Sequence, residues 1–137
     1  MSKPTPQEAM VYLMVIMSAS DRDMGDEELA RIGAIVRTLP IFQGFEQSRT
    51  LAVAQECQQL LQQEDGFASV LALIKTTLTE DLRETAYALA VDIAAADLSV
   101  GDEETRVLDL VKDRFGLDPL AVAAIERSAA IRHRTAG

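Results

Sequence analysis

Residues 13–28 read LMVIMSASDRDMGDEE and residues 89–104 read LAVDIAAADLSVGDEE, so an apolar helix followed by an acidic turn occurs twice. The stretches align without a gap at a shift of 76 residues (89 − 13 = 76), and eight of their sixteen positions are identical. Unrelated sequences would match at about one position. The identical pairs are Leu13/Leu89, Val15/Val91, Ala19/Ala95, Asp21/Asp97, Gly25/Gly101, Asp26/Asp102, Glu27/Glu103 and Glu28/Glu104. We therefore predict an internal duplication of two helix–acidic turn–helix units, roughly residues 5–39 and 79–116, packed around a pseudo-twofold axis.

The composition predicts one folded domain over residues 1–137. A chain of 137 residues can bury a hydrophobic core without disulfides or metals to hold it. Apolar residues make up 48% and charged residues 26%, which is unlike a disordered chain. Aromatic residues make up only 4%, so the core has to be aliphatic, and most of the available aliphatic residues favour helices.

Helix signals are frequent, whereas no stretch shows the alternation of a β-strand. Thr5 and Glu8 form a capping-box pattern around Pro6, and Thr79 is a further cap. We predict an all-α bundle of about seven helices, in which the first and fifth, apolar almost all round, lie centrally. The predicted helices cover residues 5–20, 26–39, 48–64, 67–78, 79–96, 102–116 and 118–132.

The net charge of −9 restricts the kinds of partner. Phosphate backbones and anionic lipid repel such a surface, so nucleic-acid binding and electrostatic docking to membranes are disfavoured. Cations, including metal ions, are favoured. The alternative is that the charge only keeps the protein in solution.

Cysteine usage and the apolar runs predict a cytoplasmic location. Cys57 is the single cysteine, and its apolar neighbours at helical spacing predict a buried structural thiol. The first seven residues are polar, without the basic and apolar segments of a signal peptide. The longest apolar run, residues 9–17, is far shorter than a transmembrane span.

The acidic turns have a purely structural interpretation as helix starts. Glycine at positions 25 and 101 allows a tight turn. Asp26 and Asp102 are good N-caps, and the glutamates that follow each of them suit the positive end of the helix dipole. This interpretation leaves out Asp21 and Asp97, which end apolar helices where the dipole disfavours negative charge.

A cation site is the second interpretation of the same turns. Asp21 with Glu28, and Asp97 with Glu104, would face each other across their turns and offer hard oxygen ligands to a divalent metal ion. If the predicted twofold axis brings the turns together, the four carboxylates share one site. The loops are not EF-hands, because the twelfth position, a glutamate in that motif, is Ile32 or Leu108.

Signals for catalysis are weak, so we predict that the protein is not an enzyme. Asp92 interrupts the fifth helix and is expected to be exposed or semi-exposed and not a buried catalytic acid. His133, the single histidine, lies at a helix end and is interpreted as a helix-end cation. The serines lack a Ser-His-Asp context, and there is no phosphate-binding glycine loop.

The turns also resemble those of a known family. The segments ASDRDMGDEELARIGAIV and AAADLSVGDEETRVLDLVKDRFGLDP resemble the tellurite-resistance TerB family, whose pattern is A-x-D-x-x-Φ-G-x-E-E, with Φ apolar. The resemblance implies an internally duplicated all-α fold and a bacterial stress-response protein in the cytoplasm or at the membrane periphery, acting with protein partners. It also implies metal binding by Asp21, Glu28, Asp97 and Glu104. The family usually has glycine directly after the first aspartate of the turn, where this chain has Arg22 and Leu98, and Arg22 would partly neutralise the first site.

Overall fold

The computed structural model describes residues 3–18, 25–96 and 102–137, and within these ranges it contains helices and no strands. The all-α prediction is confirmed. Short 3₁₀ turns at Pro40–Phe42 and Gln47–Arg49 connect the second and third helices. The helices are α1 (Pro6–Ser18), α2 (Asp26–Thr38), α3 (Thr50–Leu61), α4 (Gly66–Thr77), α5 (Glu80–Ala96), α6 (Asp102–Phe115) and α7 (Pro119–Arg132).

Helix α1 lies at the centre of the bundle, as predicted. All nine residues from Ala9 to Met17 are buried, because α1 contacts α3, α4 and α5 on different sides. Helix α5 is the second central element and contacts α1, α6 and α7. The duplication stays a prediction. None of the helices in the described ranges is both long and apolar enough to cross a bilayer.

Two predicted caps are confirmed by their hydrogen bonds, and a third cap is found at Asp118. The Glu8 N–H donates to Thr5 Oγ1 (3.1 Å), and the Thr5 N–H donates to Glu8 Oε1 (2.9 Å), which completes the capping box of α1. Thr79 Oγ1 accepts from the Leu82 N–H (3.3 Å) at the start of α5. At the start of α7, Asp118 Oδ1 accepts from the Leu120 N–H (3.3 Å).

Two predicted helix starts are wrong. Helix α3 begins at Thr50 instead of residue 48, because Gln47–Arg49 forms a 3₁₀ turn. Helix α4 begins at Gly66 after Asp65, which adopts a left-handed conformation (φ 56°). A Cβ atom at Gly66 would lie 2.5 Å from the carbonyl oxygens of Leu60 and Leu61, so this tight entry requires glycine.

The two buried tyrosines attach the central helices to outer ones. Tyr12 on α1 donates to Glu56 Oε1 on α3 (2.7 Å), and Tyr87 on α5 donates to Glu126 Oε2 on α7 (2.5 Å). Burial, reinforced by the carboxylate partner, raises the pKa of both phenols. Cys57 is buried as predicted, and burial raises the pKa of its thiol to about 12, so it is unreactive near neutral pH.

We expect the capping box of α1 to make stability depend on pH. Burial would raise the pKa of the Glu8 carboxyl, but the Thr5 N–H and the Arg49 guanidinium (2.8 Å) together hold it below the ordinary value. This stabilisation is present above the unfolded-state pKa of about 4.3 and is lost as the pH falls through the lower folded-state pKa. Glu8→Gln should therefore lower the free energy of unfolding by about 1–2 kcal/mol at pH 7 and by much less near pH 3.

Urea unfolding at the two pH values measures this difference. The control is Glu64→Gln, an exposed glutamate beyond the end of α3, which should change stability little at either pH. An equal loss for Glu8→Gln at both pH values would contradict the electrostatic explanation.

Candidate functional site

The described part of the candidate site consists of the first turns of α2 and α6. Asp26, Glu27 and Glu28 open α2, and the matching Asp102, Glu103 and Glu104 open α6. Three carboxylates at each helix start lie where the macrodipole stabilises negative charge. Asp21 and Asp97, the other two predicted ligands, lie outside the described residues, so their pairing with Glu28 and Glu104 stays a prediction.

One carboxylate in each turn differs from its neighbours. Glu28 and Glu104, at equivalent positions, are half-buried, whereas the two acidic residues before each of them are exposed. Both half-buried glutamates also have polar or electrostatic partners. The third residue of each helix therefore lies against the protein surface, while the first two point into solvent.

The structure corrects the predicted role of Asp26. Helix α2 has Gly25 as its N-cap, with an extended backbone (φ −81°, ψ 171°), and Asp26 is the first helical residue. Gly25 has no side chain and so cannot cap α2 through one. Asp26 is not the N-cap because the chain enters the helix one residue earlier than that interpretation requires.

Gly25 leaves room for the Glu28 carboxylate. A Cβ atom at position 25 would lie 2.7 Å from Glu28 Oε2, so the carboxylate occupies the space that any other residue would fill. Glu28 is the third helical residue, the position from which a capping-box glutamate reaches back to the N-cap. Because the φ of Gly25 suits any residue, the glycine provides space at this position and not an unusual backbone conformation.

Carboxylates of this kind can bind a hard cation. Glutamate oxygens are ligands that Ca²⁺ and Mg²⁺ accept, and Glu28 and Glu104 fit that donor chemistry. Within residues 3–18, 25–96 and 102–137, no three histidine, cysteine, aspartate or glutamate side chains cluster closely enough to hold a metal ion. A complete ligand set would therefore have to include carboxylates such as Asp21 and Asp97.

The other titratable residues of interest have structural roles. Asp92 on α5 is semi-exposed, as predicted, and accepts from Arg132 on α7 (2.8 Å), so it connects these two helices. His133 lies at the C-terminal end of α7, with Nδ1 2.9 Å from the carbonyl oxygen of Ala129. Lys112 lies between Asp109 (3.1 Å) and Glu126 (3.2 Å).

Sequence reasoning missed two surface grooves. One, of about 400 Å³, lies between α2 and the start of α3, where the buried Thr50 hydroxyl has no hydrogen-bond partner among the described residues. The other, of about 410 Å³, lies between α6 and α7 and has a mainly apolar floor that includes Leu117 and Val122. The available signal for the second groove was the run of apolar residues at the start of α7, residues 119–125.

The fold and the turns define a class of protein: a small all-α domain with apolar central helices, in which α2 and α6 each begin with three acidic residues. A family model described as "Tellurite resistance protein TerB" matches residues 7–127. The match spans 121 of the 137 residues (127 − 7 + 1 = 121), so the chain belongs to the TerB family, as its sequence resemblance indicated. No curated protein and no solved structure gives a significant match.

We expect Gly25 and Glu28 to be energetically coupled. Gly25→Ala should cost more stability in the wild type than in a Glu28→Ala variant, because only in the wild type does the new methyl group displace the Glu28 carboxylate. In the Glu28→Ala background, the lower entropy of the unfolded chain favours alanine, while the preference of N-cap positions for glycine opposes it. A double-mutant cycle by chemical denaturation should therefore give a coupling free energy of about 0.5 kcal/mol or more.

The matched control for this cycle pairs Gly25 with Glu27, whose side chain is exposed. Additive effects of Gly25→Ala and Glu27→Ala are expected. Additivity for the Gly25/Glu28 pair as well would show that the carboxylate does not depend on the space above the glycine.

Proposed function

We propose that the chain is a non-enzymatic bacterial stress-response protein of the tellurite-resistance TerB type that binds a divalent metal ion through its duplicated acidic turns. Asp21 and Glu28 in the first turn, and Asp97 and Glu104 in the second, are the proposed ligands. Bound metal would order the turns and present them to a protein partner in the cytoplasm or at the membrane periphery.

The observation that carries this proposal is the equivalence of Glu28 and Glu104. Both are the third residue of a helix that follows an acidic turn, and both are half-buried beside exposed acidic neighbours. If the two turns only capped helices, many unrelated sequences would serve equally well at the two helix starts. Eight identities in sixteen positions around these glutamates favour a shared requirement of both turns.

The charge of the molecule favours the same proposal. A chain with a net charge of −9 attracts cations to its surface, and the first turns of α2 and α6 each concentrate three carboxylates. A bound divalent ion would relieve the repulsion among them. Carboxylate ligands without histidine or cysteine favour Ca²⁺, Mg²⁺ or Mn²⁺ over Zn²⁺.

The second candidate function is an interaction module whose acidic turns only start helices. The Glu28 carboxylate above Gly25 favours it, because a capping glutamate occupies this place without any ion. The two candidates differ in whether the native state gains stability from a metal ion.

Thermal unfolding of the metal-stripped chain tests the proposed function. Titration with Ca²⁺, Mg²⁺, Mn²⁺ and Zn²⁺ should raise the melting temperature with one of the first three. An ion that binds only the native state adds about 2.7 kcal/mol at a hundredfold excess over its dissociation constant, which is roughly 10 °C for a domain of this size. Asp21→Asn/Asp97→Asn should abolish the shift.

The matched control is Glu27→Gln/Glu103→Gln, which removes the same number of charges from exposed positions in the same turns. It should keep the metal-dependent shift. An equal loss in both double variants would mean that the ions only screen charge. The absence of a shift at millimolar concentrations of every ion would leave the interaction module as the function.

A further inference from the structure

The outward face of α7 is apolar and has no cover. Its exposed residues recur at helical spacing: Leu120 (78% exposed), Ala124, Arg127 and Ile131 (46% exposed). The opposite side of α7 packs against α5 and the core, where Ala129 is buried. No part of the described chain covers this stripe.

The α6/α7 groove extends this apolar face. Its apolar lining includes Leu117, Pro119, Val122 and Ala123, and Ala123 is itself exposed next to the Leu120–Ile131 stripe. Stripe and groove together form one continuous surface on α7, which we call the α7 face. A continuous apolar surface of this kind favours a macromolecular partner over solvent.

Charge is distributed unevenly along the α7 face. Asp113 and Asp118 lie exposed beside its N-terminal end, while exposed Asp109 pairs with Lys112 (3.1 Å). Exposed Arg134 lies beyond its C-terminal end, Arg127 lies at mid-helix, and Arg132 pairs with Asp92 on α5 (2.8 Å). Residues 119–137 contain these three arginines and one glutamate, a net charge of +2, so residues 1–118 carry −11 (−9 − 2 = −11). Two copies of the chain therefore repel each other least where their α7 faces meet.

We propose that the partner of the α7 face is a second copy of this chain, bound in an isologous dimer in which the two α7 helices run antiparallel. This orientation places the acidic end of each face against the basic end of the other, and it also opposes the helix dipoles favourably. Charge complementarity of the face with itself thus selects the antiparallel arrangement over the parallel one.

The side chains fit one antiparallel register. In this register, Leu120 of one copy lies opposite the partner's Ile131. The residue numbers of every opposing pair sum to 251 (120 + 131 = 251). Ala124 meets the partner's Arg127 (124 + 127 = 251), and a small residue there leaves room for the aliphatic stem of the arginine. The two largest exposed apolar side chains of the face are thereby covered together.

Sedimentation or light scattering over a range of concentrations tests the association. A face this small is at the low end of specific interfaces, so we expect the mass to rise from one chain to two as the concentration reaches on the order of 100 μM. Leu120→Glu should keep the chain monomeric throughout. Leu51→Glu is the matched control, because Leu51 on α3 is also exposed (50%) but lies outside the α7 face, and this variant should still dimerise.

Cysteine cross-linking tests the register. Leu120→Cys and Ile131→Cys variants should form a disulfide-linked dimer when mixed, and neither should cross-link well alone, because each position lies about 16 Å along the helix from its own copy in this register. Buried Cys57 contributes little background. A single-chain mass at all concentrations, or equal disruption by Leu51→Glu, would overturn the proposed dimer. Efficient cross-linking of either variant alone would overturn the antiparallel register.

Discussion

The structure depends on the burial of residues 9–17 of α1. Nine consecutive residues, Ala9 to Met17, have no polar side to offer to solvent, so the remaining helices have to enclose this segment from several directions. Helices α3, α4 and α5 do so. Tyr12 is the one residue of this segment with a polar side-chain group. Its ring is buried, and its hydroxyl avoids an unpaired position in the core by reaching Glu56 at the edge of the bundle.

Central helices of this kind constrain the chain that follows them. A chain that leaves an apolar core has to become polar quickly and then start a new helix on the surface, and the first turns of α2 and α6 supply that polarity with three acidic residues each. Folding alone thus explains why acidic residues stand there. The half-buried Glu28 and Glu104 are the part of this pattern that the proposed metal site would use.

Local signals in the sequence predicted much of the fold, whereas contacts between distant segments could not be predicted. Thr5, Glu8 and Thr79 act within one helical turn, so their roles follow from spacing alone. The 3₁₀ turn before Thr50 packs against α2, a contact between segments that no local pattern records. For the candidate site, the sequence identified Glu28 and Glu104 as distinct residues but assigned the N-cap to Asp26 instead of Gly25. The exposed side of α7 became evident only once its opposite side was seen to pack on α5.

At the proposed metal site, capping and metal binding would compete for the Glu28 carboxylate. While Glu28 lies over Gly25, its oxygen is held where it stabilises the start of α2. An ion that draws this carboxylate toward Asp21 has to compensate for that lost stabilisation. Its observed binding free energy is therefore weaker than the intrinsic one by the free energy that the cap contributes. This cost also makes the start of α2 sensitive to the ion, because the helix terminus and the bound metal cannot both be fully satisfied by one side chain. A metal-dependent change at this terminus would give a partner protein a surface that differs between the two states.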